Sequence, residues 1–277
     1  MAGKLYICPT PIGNLEDITY RTLRVLNEVD LIAAEDTRHS LQLLNHFDIS
    51  KPLTSYHEHN KDSKGGYLIT KLLEGENIAL ISDAGMPGIS DPGQDIIAEA
   101  IENNIEIEVL PGATAFVTAL VGSGMDTHKF VFEGFLDRDK KLRRKRLEEI
   151  KNEKRTIIFY ESPHRLKETL KDMLKYLGNR KIAVNRELTK KYQEIIREDI
   201  ETVIEIFNNR EVKGEFVLIV EGFSGEVEEV GKYDELNERE YVIQLMEEGI
   251  NKKDAIKIVC KDRKLKKDIV YKQVLDL

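Results

Sequence analysis

The sequence predicts an α/β protein: a mostly parallel N-terminal sheet, a mixed α/β second region and a small C-terminal helical unit. Three observations carry this. Short apolar, β-rich runs alternate with longer amphipathic ones through the first half, the pattern of strand–helix–strand units. In the second half the strand-like runs outnumber the helical ones. Residues 237–277 show only helical patterning.

In order, residues 4–8, 29–34, 77–82 and 105–110 read as strands. Residues 19–27, 37–47, 66–74 and 92–103 read as the helices between them, and 113–121 as one more. The polar stretch 122–129 holds two glycines and no periodicity, so a first domain, residues 1–124, is expected to end there. In a second domain, residues 125–224, strands are expected over 130–136, 156–160, 181–185 and 215–220, and helices over 138–152, 163–177 and 200–209. Residues 221–231 are rich in Gly and Glu, as linkers are. The third part, 225–277, then holds linker plus helices over 238–248, 252–263 and 265–277, with Gly249 as a breaker, a unit like a helix-turn-helix.

Composition bounds the function. The chain has 277 residues, 41% hydrophobic and 33% charged, with a net charge of −8. That length suits about two domains at roughly 150 residues each. The apolar content excludes disorder as the main state. A globally acidic chain can hold a polyanion only through a local patch. Cys8 and Cys260 stand far apart and outside any Cys-x-x-Cys pair, which excludes a disulfide scaffold and a zinc ribbon. A reduced cytoplasmic setting is expected. No apolar run approaches the length of a membrane helix, and the first residues lack the apolar core of a secretory signal.

Ligands of open α/β sheets bind beyond the carboxyl ends of the strands. Four loops there are unusual: Pro9 to Asn14, Glu35 to Arg38, Asp83 to Gly93 and Pro111 to Ala115. One Gly- and Pro-containing loop is ordinarily just a turn; four on one sheet edge suggest a ligand approached closely by backbone. None reads GxGxxG or GxxxxGK(S/T), so dinucleotide and P-loop readings fail on spacing. Asp83 and Asp91 would repel phosphate but suit a cation, an amine or a ribose hydroxyl. S-adenosylmethionine has all three. His57 and His59 tempt a metal reading, but no third ligand is apparent, so no metal is expected.

Residues 82–93, reading Ser-Asp-Ala-Gly-Met-Pro-Gly-Ile-Ser-Asp-Pro-Gly, resemble the hallmark of the ribosomal RNA small subunit methyltransferase I family. That family lies within the tetrapyrrole-methylase-like S-adenosylmethionine superfamily. Residues 9–14, 34–38, 55–60, 111–115, 132–136, 159–165 and 214–222 support the resemblance in the expected order. It implies a two-domain tetrapyrrole-methylase-like fold with S-adenosylmethionine in the interdomain cleft. It also implies a homodimer and 2′-O-methylation of a cytidine in the decoding centre of 16S ribosomal RNA. Carried over by position, the cofactor residues would be Asp83, Ala84, Met86, Thr114, Ala115, Tyr160, Leu188, Gly214 and Glu215.

The base is less legible. Glu35, Asp36 and Arg38 are candidate catalytic residues, since one loop offers two carboxylates and a guanidinium; Asp91 and Glu161 are further cleft carboxylates. The plainer reading makes Asp36 a helix cap. For RNA, residues 138–146 carry seven basic side chains and one acid, and Arg138, Lys140, Lys141, Arg143 and Arg144 would track phosphates. Arg165 follows Ser162 and Pro163, where a helix is expected to start, a ready anion site. Residues 251–277 hold nine Lys or Arg and four Asp, a second patch. Two other readings stay open: a small-molecule methyltransferase of tetrapyrrole or corrin precursors, and a non-enzymatic RNA-binding assembly protein.

Overall fold

The computed structural model describes residues 2–225, 233, 236–275 and 277. Met1–Ser224 form one compact unit and Gly225–Leu277 a second.

The first unit holds two five-stranded sheets. Sheet one comprises β1 (Lys4–Ile7), β2 (Leu31–Ala34), β3 (Leu53–Ser55), β4 (Ile78–Ile81) and β5 (Glu106–Val109), in the order β3-β2-β4-β1-β5. Every pairing is parallel. Between them run α1 (Tyr20–Glu28), α2 (Thr37–His46), α3 (Lys61–Leu73) and α4 (Gln94–Glu102); α5 (Ala115–Ser123) follows β5. The central strand β4, Ile-Ala-Leu-Ile, is wholly buried, as parallel strands covered on both faces are. Leu80 faces Leu68, Leu72 and Ile96, while Ala79 and Ile81 face Leu26 and Leu44. Thr19 and Asp36 cap α1 and α2 through their side chains.

Sheet two comprises β6 (Phe130–Phe135), β7 (Thr156–Glu161), β8 (Lys181–Arg186), β9 (Glu194–Asp199) and β10 (Phe216–Val220). Its order is β6-β7-β10-β8-β9. Only β6 and β7 run parallel; the other pairs are antiparallel. The apolar β10 is buried throughout. On one face pack α6 (Lys140–Glu149), α7 (Leu166–Leu177) and α8 (Ile200–Asn208), through a core that includes Leu147, Leu170, Met173, Val203 and Phe207. Against the other face Ala119 and Leu120 of α5 meet Ile158, Ala183, Val217 and Ile219. The helix that follows sheet one therefore supplies the apolar cover of sheet two.

Two strands escape sequence reasoning. β3 has only three residues, all half-buried. β9, Glu-Ile-Ile-Arg-Glu-Asp, is charged along its exposed half, the composition that protects sheet edges. Helix α3 starts at Lys61, ahead of the expected 66, because its first turn is polar. Gly65 and Gly66 cost it roughly 1 kcal/mol each, offset by buried Leu68, Ile69 and Leu72.

In the second unit α9 (Glu238–Glu247), α10 (Lys252–Asp262) and α11 (Lys267–Gln273) enclose a core of Tyr241, Val242, Leu245, Ile256, Val259 and Val270. A capping box joins Asn237 and Glu240, and Gly249, at φ +91°, ends the first helix. Of the expected linker, residues 226–231 lie outside the described residues.

Candidate active site

The loops at the carboxyl ends of β1, β2, β4 and β5 are pinned to one another. Thr10 and Gly85 form an antiparallel bridge, with N···O distances of 2.9 and 3.1 Å. The buried Thr10 hydroxyl donates to the Ser82 carbonyl at 3.1 Å and accepts from the Gly85 amide at 3.1 Å. Gly85 sits at φ +88°, where glycine alone is unstrained. Gly112 approaches Pro9 so closely that a Cβ would lie 2.3 Å from the ring Cγ. The Asp83 carboxylate accepts from the Asp36 amide at 3.1 Å, and the Asp83 amide donates to Glu35 at 3.4 Å.

These loops floor a cavity of about 250 Å³ whose other wall is the end of sheet two. Ala84, Met86, Thr114, Ala115, Tyr160, Leu188 and Glu215 all line it. Asp83 lines an adjoining polar cleft of about 560 Å³ that shares Ile12, Ala84 and Glu215 with the first. Gly214 lines neither. Its place is explained by Glu187: a Cβ on Gly214 would come within 2.6 Å of that side chain. Glu187 thereby accepts from the Glu215 amide at 2.9 Å and from the Lys190 ammonium at 3.0 Å.

Sequence reasoning missed Asn185. It is fully buried, and its amide nitrogen donates to the carbonyls of Ala183 and Val217, each at 3.3 Å. Its Oδ1 is buried without a partner and the residue lines the cavity. A lone asparagine in the apolar run Lys-Ile-Ala-Val-Asn was the available signal. Ile12, Phe135 and Val217 also line the cavity. Tyr160 packs edge-on against Phe132 and Phe135, at 5.1 and 5.5 Å between centroids. Burial pushes its phenol up to about 12, so it remains a donor at neutral pH.

The lining contains three carboxylates, Asp91, Glu161 and Glu215, and no lysine, arginine or histidine. Glu161 is buried and satisfied: it accepts from the Ser162 amide at 2.8 Å and from the Thr169 hydroxyl, with the Arg165 Nε 3.6 Å away. Glu215 pairs with Lys190 at 2.9 Å. Asp91 has no ion-pair partner among the described residues. Burial, then the charges of Glu35 and Asp83, push its carboxyl up from 3.8 to about 7. Burial also raises Glu35.

An acid whose pKa is raised by folding holds its proton more tightly in the native state. Between 3.8 and about 7 the fold binds more protons than the unfolded chain, so the Asp91 contribution lowers stability as pH rises through that window. Asp91→Asn is therefore expected to raise the Tm of the ligand-free protein at pH 8 by about 2–4 °C. The difference should vanish below about pH 4, where the group is protonated in both states. Thermal melts at the two pH values check this; a gain at pH 4 and none at pH 8 would reverse the assignment.

Neither Glu35, Asp36 nor Arg38 lines either cavity. Asp36 caps α2, accepting from the Arg38 amide at 2.8 Å and from its guanidinium at 2.8 Å. These bonds lower its carboxyl to about 2. The Arg38 side chain is 89% exposed.

The basic segment divides by face. Arg138 and Lys141 are exposed; Lys140 lies 3.4 Å from Glu168. Arg143 corrects expectation: its side chain is 2% exposed, bonded through Nε and Nη2 to Asp172 at 3.0 and 2.9 Å, with Glu168 at 3.1 Å. It faces the core beside Leu147, one helical turn on, and cannot reach a phosphate. Arg144 also bonds Asp172, at 3.0 Å, from a half-exposed position. Arg165 is turned inward as well, donating to the carbonyls of Leu136 and Asp137 at 2.7 and 3.0 Å.

Among the described residues, no group of three or more His, Cys, Asp or Glu is placed to hold a metal ion. No helix among them is long and apolar enough to cross a membrane.

Two sheets joined by such a cleft define a class. The family model of tetrapyrrole (corrin/porphyrin) methylases matches residues 4–204. Solved structures agree at the level of fold. Cobalt precorrin-4 methyltransferase superposes with a TM-score of 0.58 at 18% identity, over 79% of this chain and 94% of that one. A uroporphyrin-III C-methyltransferase from Thermus thermophilus, complexed with S-adenyl homocysteine, gives 0.56 at 17%, over 79% and 97%. Sequence relatives are far nearer. The ribosomal RNA small subunit methyltransferase I of Halalkalibacterium halodurans is 52% identical over 97% of this chain and 93% of its own. That of Bacillus subtilis is 50% identical over 97% and 93%, and that of Synechocystis 45% over 99% and 98%. The chain belongs to the ribosomal RNA small subunit methyltransferase I family, within the tetrapyrrole methylases.

Proposed function

We propose that the protein transfers a methyl group from S-adenosylmethionine to small-subunit ribosomal RNA, the acceptor being the 2′-oxygen of a decoding-centre cytidine. One observation carries the RNA reading over a tetrapyrrole one. The methylase family model stops at residue 204, whereas relatives named for ribosomal RNA match 97–99% of the chain, helical C-terminus included.

The cavity suits the cofactor on two counts. Asn185, one of the lining residues, holds a buried acceptor without a partner, and a lining that holds carboxylates but no cationic side chain favours a cation. Ala84, Met86, Thr114 and Ala115 would hold it by backbone, Ile12, Leu188 and Val217 by apolar contact, and Tyr160 beside them. The bound cofactor supplies an electrophilic methyl group on a positive sulfur. The protein's own part is to fix the acceptor oxygen in line and exclude water, which can supply much of the rate. The protein works as a homodimer on this reading.

RNA is held through phosphates by Arg138, Lys140 and Lys141, with Arg144 at the margin and Arg38 presenting its exposed guanidinium at the start of α2. Each lost phosphate contact flattens the plot of log affinity against log salt by roughly 0.7–0.9. Arg138→Ala with Lys141→Ala should thus lower the slope by roughly 1.4–1.8 and leave cofactor affinity unchanged. Filter binding across a salt series reads it; a parental slope would mean a solvated face only.

The function itself is tested with labelled S-adenosylmethionine and assembled small subunits. Mass spectrometry of the digested RNA should show one 2′-O-methylcytidine. Methyl transfer to a tetrapyrrole precursor with none to RNA would overturn the proposal.

A further inference from the structure

The cavity contains one carboxylate without a partner. Glu161 is bonded to Ser162 and Thr169, and Glu215 is paired with Lys190. Asp91 lines the same cavity with no cation opposite it among the described residues. The groups whose charges reach it are acidic: Glu35 after β2, Asp83 after β4 and Glu215 before β10; Tyr160 on β7 faces it as a neutral phenol, and the Ser82 hydroxyl donates to the Gly85 carbonyl at 3.3 Å. A second observation bears on the same place: Asn185, fully buried in β8, is among the residues that line this cavity, and its Oδ1 has no partner.

A carboxylate in such surroundings is poorly placed to remain charged alone and well placed to be charged beside a cation. Resting on the methyl-transfer reading above, we propose that Asp91 is the catalytic base, and that it exchanges its proton against the positive charge of the cofactor. With the sulfonium present Asp91 is ionised. During transfer the acceptor O–H bond breaks and its proton passes to the Asp91 carboxylate. The oxygen's electron pair forms the new O–CH₃ bond, and the C–S bonding pair stays on sulfur, which becomes neutral. The cavity's total charge is the same before and after: one cation and one anion become a neutral thioether and a neutral acid. The near-neutral titration of Asp91 in the ligand-free protein fits this exchange.

The exchange is read without turnover. S-adenosylmethionine and S-adenosylhomocysteine share the amino acid and nucleoside and differ in the sulfonium charge. Calorimetric titrations of both ligands at pH 7, in buffers of different ionisation enthalpy, count the protons released. S-adenosylmethionine should release about half a proton more than S-adenosylhomocysteine, because Asp91 must complete its ionisation. Its affinity relative to S-adenosylhomocysteine should rise several-fold from pH 6 to pH 8. Asp91→Asn should abolish both differences, bind S-adenosylhomocysteine as the parent does, and lower turnover by roughly 10²–10⁴-fold. Equal proton release by the two ligands in the parent protein, or a difference that survives in Asp91→Asn, overturns the proposal while leaving cofactor binding intact. Failure of both ligands to bind the parent overturns the cofactor reading and this proposal together.

Discussion

Arg143→Ala is expected to destabilise the fold by about 3–5 kcal/mol, the cost of removing one partner of a buried ion pair. The guanidinium bonds Asp172 through two nitrogens inside the core, where the Asp172 side chain is itself almost inaccessible. Without it Asp172 retains, among the described residues, only Arg144, which is partly in water. Exposed ion pairs are worth about 0–1 kcal/mol, so the measurement separates the two cases cleanly. Urea unfolding of the parent and variant, with the m-value compared, reads it. A loss under about 1 kcal/mol would place the pair among ordinary surface bridges. The salt dependence of RNA binding should not change, because a buried guanidinium releases no counterions from a phosphate.

Gly85→Val is expected to weaken binding of S-adenosylmethionine at least about 100-fold, nearly 3 kcal/mol. Two effects act together. At φ +88° a β-branched residue carries backbone strain of about 1–3 kcal/mol. Its Cβ would also stand 3.1 Å from the Ile12 side chain and 3.5 Å from the Ala113 carbonyl, and its methyls would press on residues that line the cavity. Relief requires the bridge to Thr10 to open, which moves Ala84 and Met86. Titration calorimetry on a variant whose melt is still cooperative reads the effect. Unchanged affinity in such a variant would remove this loop from the cofactor site.

The loops that floor the cavity are legible in sequence because their chemistry is compositional: glycine, proline, alanine and aspartate cluster after strands for backbone reasons that leave a mark in one dimension. Asn185 was less visible, because one polar residue in a strand could equally be a satisfied core amide; only its unpartnered oxygen distinguishes the two. The basic helix α6 misled for a different reason. Arginine stands on both its faces, and composition does not say which face is buried. The spacing of Arg143, Leu147 and Ile150, four and three residues apart, places all three on one side of a helix, and that periodicity was the signal outweighed by the charge count. The edge strand β9 hid because its exposed charges resemble a loop. The base could not be chosen by sequence at all, since Glu35, Asp36 and Asp91 differ in what surrounds them rather than in kind.

The bridge between Thr10 and Gly85, with the Pro9 and Gly112 contact beside it, has a kinetic consequence. These loops are cross-braced by their own backbone bonds, so an incoming ligand freezes few additional torsions there. The entropic penalty of association is correspondingly small, and encounter is not gated by loop folding. Differences among cofactor analogues should then appear as differences in residence time, with association rates nearly common to the series.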